Sequence, residues 1–369
     1  MKILHIVNSI YQGGVRTVVL DLAKHQIAEG HDVYILCIMD EDKYFETAQD
    51  FIDCGVKIIR GDHKSSYNIL NILTIRKYIK GQDVVHVHQF PNQLFAKIAI
   101  DLIPKKKRPA LITTEHSTFN NRRKYSLLRY IDRWFYRSYD KICCISPQTY
   151  DNLNIWLKDS KLKDKIIIIT NGINIQKYSE AKNNLPTVLG NYDSNIFYAV
   201  MVARMDYPKD PLTVIKSLDF TPENIHLVFI GDGNLVESLK SEVNNMGISD
   251  RVHFLGLRSD VPELLKGCDV GVLSTKWEGF GLVAAEYMAA GLPVLVTNVE
   301  GLREVAGDRD SIFEYQDYND LGEKITRLAT DAGYYNEKKE HSSRQAKLFS
   351  ADIMNSKYMA LYTRLINQK

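Results

Sequence analysis

The 369-residue chain predicts an α/β fold built from two doubly wound domains. Three observations carry that expectation. Short β-branched runs alternate with amphipathic helical stretches from the N-terminus onward. The alternation starts afresh near residue 196, and a polar stretch over 178–193 separates the two series as a linker. Strands that alternate with helices form parallel sheets covered on both faces. A chain of this length also exceeds one ordinary core and suggests about two domains.

In chain order, strands are expected at 3–8, 32–38, 56–60, 84–88, 110–114, 141–145 and 165–170. Helical periodicity occupies 15–29, 67–80, 91–102, 125–139 and 147–157 between them. The second series places strands near 196–203, 226–230, 252–255, 269–273 and 294–297. These series define domains over 1–180 and 190–349. Residues 350–367 read as a closing helix with Ile353, Met354, Tyr358, Leu361, Tyr362 and Ile366 on one side.

Hydrophobic residues make up 45% of the chain and charged residues 25%, an ordinary globular balance. Cys37, Cys54, Cys143, Cys144 and Cys268 form no CxxC and read as buried thiols of a reducing compartment. The N-terminal run Met1–Asn8 is a short strand pattern, not a signal peptide, and no apolar stretch reaches the roughly 18 residues of a membrane span. A cytoplasmic protein is expected. The net charge of +2 hides an asymmetry: residues 1–190 carry 28 Lys/Arg against 19 Asp/Glu, and residues 191–369 carry 19 against 26. Different partners for the two halves follow from that asymmetry. The basic residues are scattered and no nucleic-acid module is evident, so nucleic acid is not expected among them.

Ligands of open parallel sheets bind outside the carboxyl ends of the strands. After the first strand, Gly13-Gly14 opens a helix, which fits an anion-binding loop or an ordinary tight turn. His116 follows the strand ending Thr114-Glu115 and is a candidate donor to a substrate hydroxyl. His86 and His88 read as structural, with no third zinc ligand evident. Asn171-Gly172 suits a turn needing positive φ. Arg204 leaves the first strand of the second series, and Lys209 stands at the next helix start, where a cation opposes the helix dipole unless an anion is shared. Gly231-Asp232-Gly233 forms a turn open to close approach of a ligand, and Leu255-Gly256-Leu257-Arg258 suits a planar base seated on main-chain groups.

The run Glu278-Gly279-Phe280-Gly281-Leu282-Val283-Ala284-Ala285-Glu286 is the most informative. It joins a glycine-rich turn, a helix start with free N–H groups, and two carboxylates whose eight-residue separation spans roughly 12 Å along a helix. That is about the reach from a sugar to the ribose of its nucleotide. A buried helix opened by a loop accounts for the alanines, but not for an acid at each end.

Taken in order, these motifs resemble the retaining glycosyltransferases of family 4, over nearly the whole chain. The resemblance implies the GT-B fold: two Rossmann-like domains facing across a cleft, with residues 350–369 as a helix crossing back to the N-terminal domain. It implies a nucleotide-sugar donor, bound mainly by the second domain, and a saccharide or lipid-linked acceptor bound by the first. Arg204 and Lys209 would hold the diphosphate, Glu286 the ribose, and Glu278 and His116 the donor sugar. Gly13, Gly14 and the amides after Gly279 would complete the cradle. Asn171, Gly172, Gly231, Gly233, Leu257, Arg258, Phe280, Gly281 and Leu282 complete the expected donor site. Two positions depart from the family: Asn174 stands where Asp often follows Asn-Gly, and Asp210 follows Lys209 where Gly is commoner.

Fixed cations at Arg204 and Lys209 would remove the need for a divalent metal, and no cofactor is expected. The acidic runs Asp40-Glu41-Asp42 and Asp308-Arg309-Asp310 read as solvated surface. The family implies same-face attack with retention, a UDP-sugar before GDP-mannose, and extracellular or capsular polysaccharide assembly. Lys105–Arg108, Arg122–Lys124 and Arg129, Arg133 and Arg137 form basic clusters suited to an anionic membrane face or to plain solvent. Among rival classes, a nicotinamide dehydrogenase lacks its GxGxxG here. A sugar-binding protein would lack the cations and paired acids. An epimerase or phosphorylase on the same fold remains an alternative.

Overall fold

Val, Ile and Leu line both faces of the strands, as parallel pairing beneath helices requires. The first seven are β1 (Lys2–Val7), β2 (Asp32–Met39), β3 (Lys57–His63), β4 (Val84–Val87), β5 (Ala110–Glu115), β6 (Lys141–Cys144) and β7 (Ile166–Ile168). They form one parallel sheet in the order β3-β2-β1-β4-β5-β6-β7. Next come β8 (Phe197–Val202), β9 (Ile225–Ile230), β10 (Val252–Phe254), β11 (Val270–Leu273), β12 (Val294–Thr297) and β13 (Ile312–Phe313). Their sheet, also parallel, runs β10-β9-β8-β11-β12-β13. This computed structural model describes residues 1–11, 13–40, 48–118 and 120–369. Gln12 of the glycine loop, and Glu41 and Asp42 of the first acidic run, lie outside the described residues.

Two units result: Met1–Ile173 with Ala351–Lys369, and Asn174–Ser350. Strand order reverses between β1 and β4 in the first and between β8 and β11 in the second. Those switch points are where a doubly wound sheet opens a crevice at its carboxyl edge. No helix among the described residues is long and apolar enough to cross a membrane.

The expected linker over 178–193 is instead part of the second unit. It carries the short helix Leu185–Leu189, buries Tyr178 and Leu185, and bonds Asn184 Nδ2 to Asp260 at 3.1 Å. Its polar residues are caps and turns, which composition alone does not distinguish from a tether. The two-residue strand β13 was not expected, because two residues show no periodicity. The helix Ala351–Asn367 joins the first unit through Met354, Tyr358, Leu361, Tyr362 and Leu365. Ile353 is 40% exposed, so it stands off that face.

In the second unit, the helix Leu282–Ala289 lies against β11. Tyr287 is fully buried, and its hydroxyl accepts the Val202 N–H at 2.6 Å. The fit depends on Gly271, where a Cβ would stand 2.2 Å from the Tyr287 ring. We therefore expect Gly271→Ala to destabilise the second unit by about 1–3 kcal/mol, the range for overpacking. The readout is the urea midpoint, and an unchanged midpoint would refute the packing argument.

Candidate functional site

At the carboxyl edge of the second sheet, the loops after β8 and β11 are tied together. Lys209 and Thr275 form an antiparallel bridge, Lys276 N–H donates to the Pro208 carbonyl at 3.1 Å, and Asp210 N–H donates to the Ser274 carbonyl at 3.1 Å. Asp210 caps the helix Pro211–Lys216, taking the Thr213 hydroxyl at 2.6 Å. That cap accounts for Asp where glycine is commoner, and its charge offsets the cation beside the helix start. Lys209 Nζ pairs with Glu278, whose other oxygen accepts the Gly279 N–H at 2.9 Å. The two candidate residues are thus brought together, and each is about a fifth to a quarter exposed. Arg204 is exposed and has no ion-pair partner among the described residues.

The helix carrying Glu286 begins only at Leu282, after Gly281 at φ +89°. Glu278 therefore belongs to the preceding loop, and the helical spacing expected between the two acids does not describe them. A left-handed residue at the N-cap breaks the helix there. A Cβ at Gly281 would also meet Leu302 at 2.3 Å, so packing and conformation both demand glycine. Glu286 and Leu282 are half-buried. Phe280, expected at the ligand, is instead buried edge-on against Phe349 at 5.3 Å.

Gly231 and Gly233 serve the chain's own backbone. A Cβ at Gly231 would fall 1.9 Å from the Ala203 carbonyl oxygen, and one at Gly233 would fall 2.5 Å from Met205. These glycines press the β9 loop against the segment holding Arg204. Arg258 forks onto Asp260 at 2.7 and 2.8 Å, while Leu257 is exposed. The acidic run Asp308–Asp310 is exposed at Arg309 and Asp310, as expected of a surface run, and Asp308 and Asp310 also clamp the buried Lys338 at 2.6 and 3.1 Å.

In the first unit, Gly13 (φ +138°) and Gly14 are exposed at the start of the helix Gly14–Ala28, and a Cβ at Gly13 would meet nothing. Asn171-Gly172 is no tight turn: both are buried, Gly172 lacks a positive φ, and its N–H donates to Met354 Sδ at 3.1 Å. Asn174 caps the helix Ile175–Ser179 through the Lys177 N–H at 3.0 Å, which accounts for Asn at that position.

A cavity of about 330 Å³ opens at the carboxyl edge of β1, β4 and β5, lined by Asn8, Gln89, Gln93, Glu115, His116 and their neighbours. Glu115 is held by Arg123 at 2.8 Å, Gln93 at 2.6 Å and the Tyr136 hydroxyl. Burial raises its pKa, but the Arg123 and Arg122 charges and those hydrogen bonds outweigh it and leave the carboxyl below its usual range. The expected basic face is largely consumed by such internal pairing. Arg122 holds the buried Asp132, Arg123 holds Glu115, Arg137 holds Asp159, Arg133 binds the Lys158 carbonyl, and Arg129 lies over Trp156. Exposed on that side are Leu127, Tyr130, Ile131 and Trp134.

Behind the cavity, His116 Nε2 stands 3.1 Å from His88 Nδ1, and His88 Nε2 stands 2.9 Å from His5 Nδ1. His5 Nε2 then meets Gln26 Oε1 at 2.9 Å. His86 lies beside them, bonded to Tyr362 and Thr114 at 2.7 Å each. Ligand atoms of His5, His86 and His88 lie within 4.8 Å of one another, so a third zinc-capable residue exists where none was evident in sequence. Every one of those ring nitrogens already has a hydrogen-bond partner. Burial lowers the pKa of His5 and His116 to about 4 and those of His86 and His88 well below the usual value. His5 and Gln26 escaped the sequence reading. The only signal was a polar residue inside a strand buried on both faces.

Comparison with known proteins matches residues 12–177 to the model described as Glycosyltransferase Family 4 and residues 190–348 to Glycosyl transferases group 1. The chain is 26% identical over 325 residues to the UDP-Gal:alpha-D-GlcNAc-diphosphoundecaprenol alpha-1,3-galactosyltransferase of Escherichia coli, covering 82% of this chain and 80% of that one. It is 27% identical over 226 residues to the N,N'-diacetylbacillosaminyl-diphospho-undecaprenol alpha-1,3-N-acetylgalactosaminyltransferase of Campylobacter jejuni, covering 58% and 57%. The structure of Anabaena HepE in complex with UDP and glucose superposes with TM-score 0.82 at 19% identity, covering 99% of this chain and all of that one.

The buried histidines set a pH dependence. Their folded pKa values lie below the unfolded value of about 6.5, so the unfolded chain binds protons that the folded one refuses. Their contribution is complete above that pH and is lost as pH falls toward 4. Denaturant unfolding between about pH 7 and 5 should show this loss. Flat stability across that range would contradict the neutral cluster.

Proposed function

Because the chain belongs to the glycosyltransferases of family 4, we propose that it moves a sugar, with retention, from a nucleotide-diphosphate donor to a saccharide or lipid-linked acceptor. UDP-sugars come first among donors and GDP-mannose second. Assembly of extracellular, capsular or other cell-envelope glycan is the setting. The carrying observation is the exposed Arg204 together with the Lys209–Glu278 pair, at the carboxyl edge of the strands flanking the second switch point. The relatives named for a UDP-galactose donor and for undecaprenyl-diphosphate acceptors support the donor and acceptor classes.

A diphosphate would bind Arg204 and compete with Glu278 for Lys209, since phosphate oxygens accept charge-assisted hydrogen bonds from both cations. Glu278, so released, would accept hydrogen bonds from hydroxyls of the donor sugar, and Glu286 would take the ribose. His116 would bond the sugar being transferred. As the sugar–phosphate bond breaks, negative charge grows on the leaving diphosphate, and the two cations stabilise it more than the ground state. They would do so without a divalent metal. The acceptor hydroxyl would attack from the leaving-group face and pass its proton to a phosphate oxygen.

Mass analysis of products from UDP-sugars and a polyprenyl-diphosphate sugar tests the reading, and epimerised donor without transfer would favour the epimerase alternative. In steady-state kinetics run in EDTA, Arg204→Ala should lower turnover by about 10²–10³. Glu278→Ala should act mainly on kcat and Glu286→Gln mainly on donor KM. No turnover in EDTA, or the reverse split between the glutamates, would refute these roles.

The first unit would dock on an anionic membrane to reach a lipid-linked acceptor. Leu127 and Tyr130 are 77% and 65% exposed, Trp134 is 49% exposed, and Lys105–Lys107 supply exposed cations. Such residues suit an interface that takes apolar side chains beneath charged headgroups. Sedimentation with anionic liposomes should retain the protein at low salt, and Leu127→Ser with Trp134→Ala should release it. An absence of binding at low salt would exclude the membrane role.

A further inference from the structure

The file of buried rings behind His116 has a direction. A neutral imidazole offers one donor and one acceptor, and His5 and His88 each use both ring nitrogens within the file. Whatever proton arrangement holds at one end is therefore imposed on the other. At the inner end, Gln26 presents its carbonyl oxygen, which accepts only, to His5 Nε2. His5 must then donate from Nε2 and accept at Nδ1. His88 must donate from Nε2 to that Nδ1 and accept at its own Nδ1. His116 must donate from Nε2 and keep a bare lone pair on Nδ1.

The orientation of Gln26 follows from its own surroundings. Its amide is fully buried. Its second side faces the Tyr362 hydroxyl, whose pKa is raised by burial and lowered again by that amide. Tyr362 in turn bonds His86 Nδ1, which lets the phenol donate to the imidazole and turns its lone pairs toward the Gln26 amide. With the oxygen toward His5, both ring nitrogens of His5 and of His88 are used, while Gln26 Nε2 makes no hydrogen bond among the described residues.

We propose that Gln26 is a positioning residue that fixes the tautomer of His116 through His5 and His88, so that His116 meets its ligand as an acceptor at Nδ1. The functional meaning rests on the sugar-binding role proposed for His116, but the tautomer does not. It follows that the ligand group facing His116 must be a donor, such as a sugar hydroxyl. An ether or a fluorine at that position would find no partner.

The test uses the full chain with ¹⁵N-labelled histidine and two-bond ¹H–¹⁵N correlation spectra near neutral pH. His116 is assigned by the signal lost in His116→Gln. We expect the Nε2–H tautomer at His116 in the unmodified protein. Gln26→Glu, which in its ionised form offers only acceptors, should preserve it. Gln26→Met, which removes the anchor with little change of volume, should shift His116 toward the Nδ1–H form or a mixture, although two rings intervene. An Nδ1–H tautomer in the unmodified protein would overturn the proposal. So would a His116 spectrum indifferent to Gln26→Met, or stoichiometric zinc in the purified protein, which would occupy nitrogens the file needs. Should Gln26→Met fail to fold, the unmodified protein and Gln26→Glu still decide. Activity of His116→Gln tests the sugar contact separately: full turnover there would sink the ligand role and leave the tautomer result standing.

Discussion

A missing side chain positions the charges of the second unit. Gly271 in β11 leaves room for the Tyr287 ring, and the Tyr287 hydroxyl can then take the Val202 N–H at the end of β8. One contact thus joins the helix Leu282–Ala289 to both strands that flank the switch point. Arg204 leaves β8 two residues after Val202, and Glu278 precedes the helix by a four-residue turn. The polar groups have their places because an apolar fit beneath them is close. Loops on a rigid scaffold commonly carry function for this reason.

Several charges of the protein are settled internally. Glu115 is matched by Arg123, Asp132 by Arg122, Lys338 by two aspartates and Lys209 by Glu278. A buried charge is tolerated only when paired and hydrogen-bonded, so most of these pairs are structural. The Lys209–Glu278 pair differs because both members remain partly exposed and can exchange partners at modest cost. Among the candidate cations, only Arg204 is wholly uncommitted within the described residues.

Much of this was legible in the sequence. Strand and helix alternation is a local signal, and it located twelve strands whose pattern extends over three or more residues. The two-residue β13 carries no such signal. Glycine, by contrast, reports only that a side chain is not wanted. Gly231 and Gly233 exclude one because the backbone at Ala203 and Met205 lies against them, which no local pattern announces. Basic residues misled in the same way: Arg122 and Arg123 looked like a surface face until their acidic partners came from other segments. His5 and His88 touch across 83 residues of chain, and Gln26 joins them from a third element. A single sequence holds no record of such neighbours.

The helix Ala351–Asn367 completes a unit whose other residues are made before the second unit. Tyr362 and Tyr358 supply hydroxyls to His86 and Thr114, and Asn355 bonds Glu29 at 2.6 Å. During synthesis the nascent N-terminal sheet must wait for those partners while the whole second unit emerges, roughly 10–40 s at ordinary elongation rates. Its apolar surface is then a chaperone's concern, not the finished protein's. A frameshift confined to codons 351–369 would accordingly unsettle the sheet built from the distant strands β1 to β7.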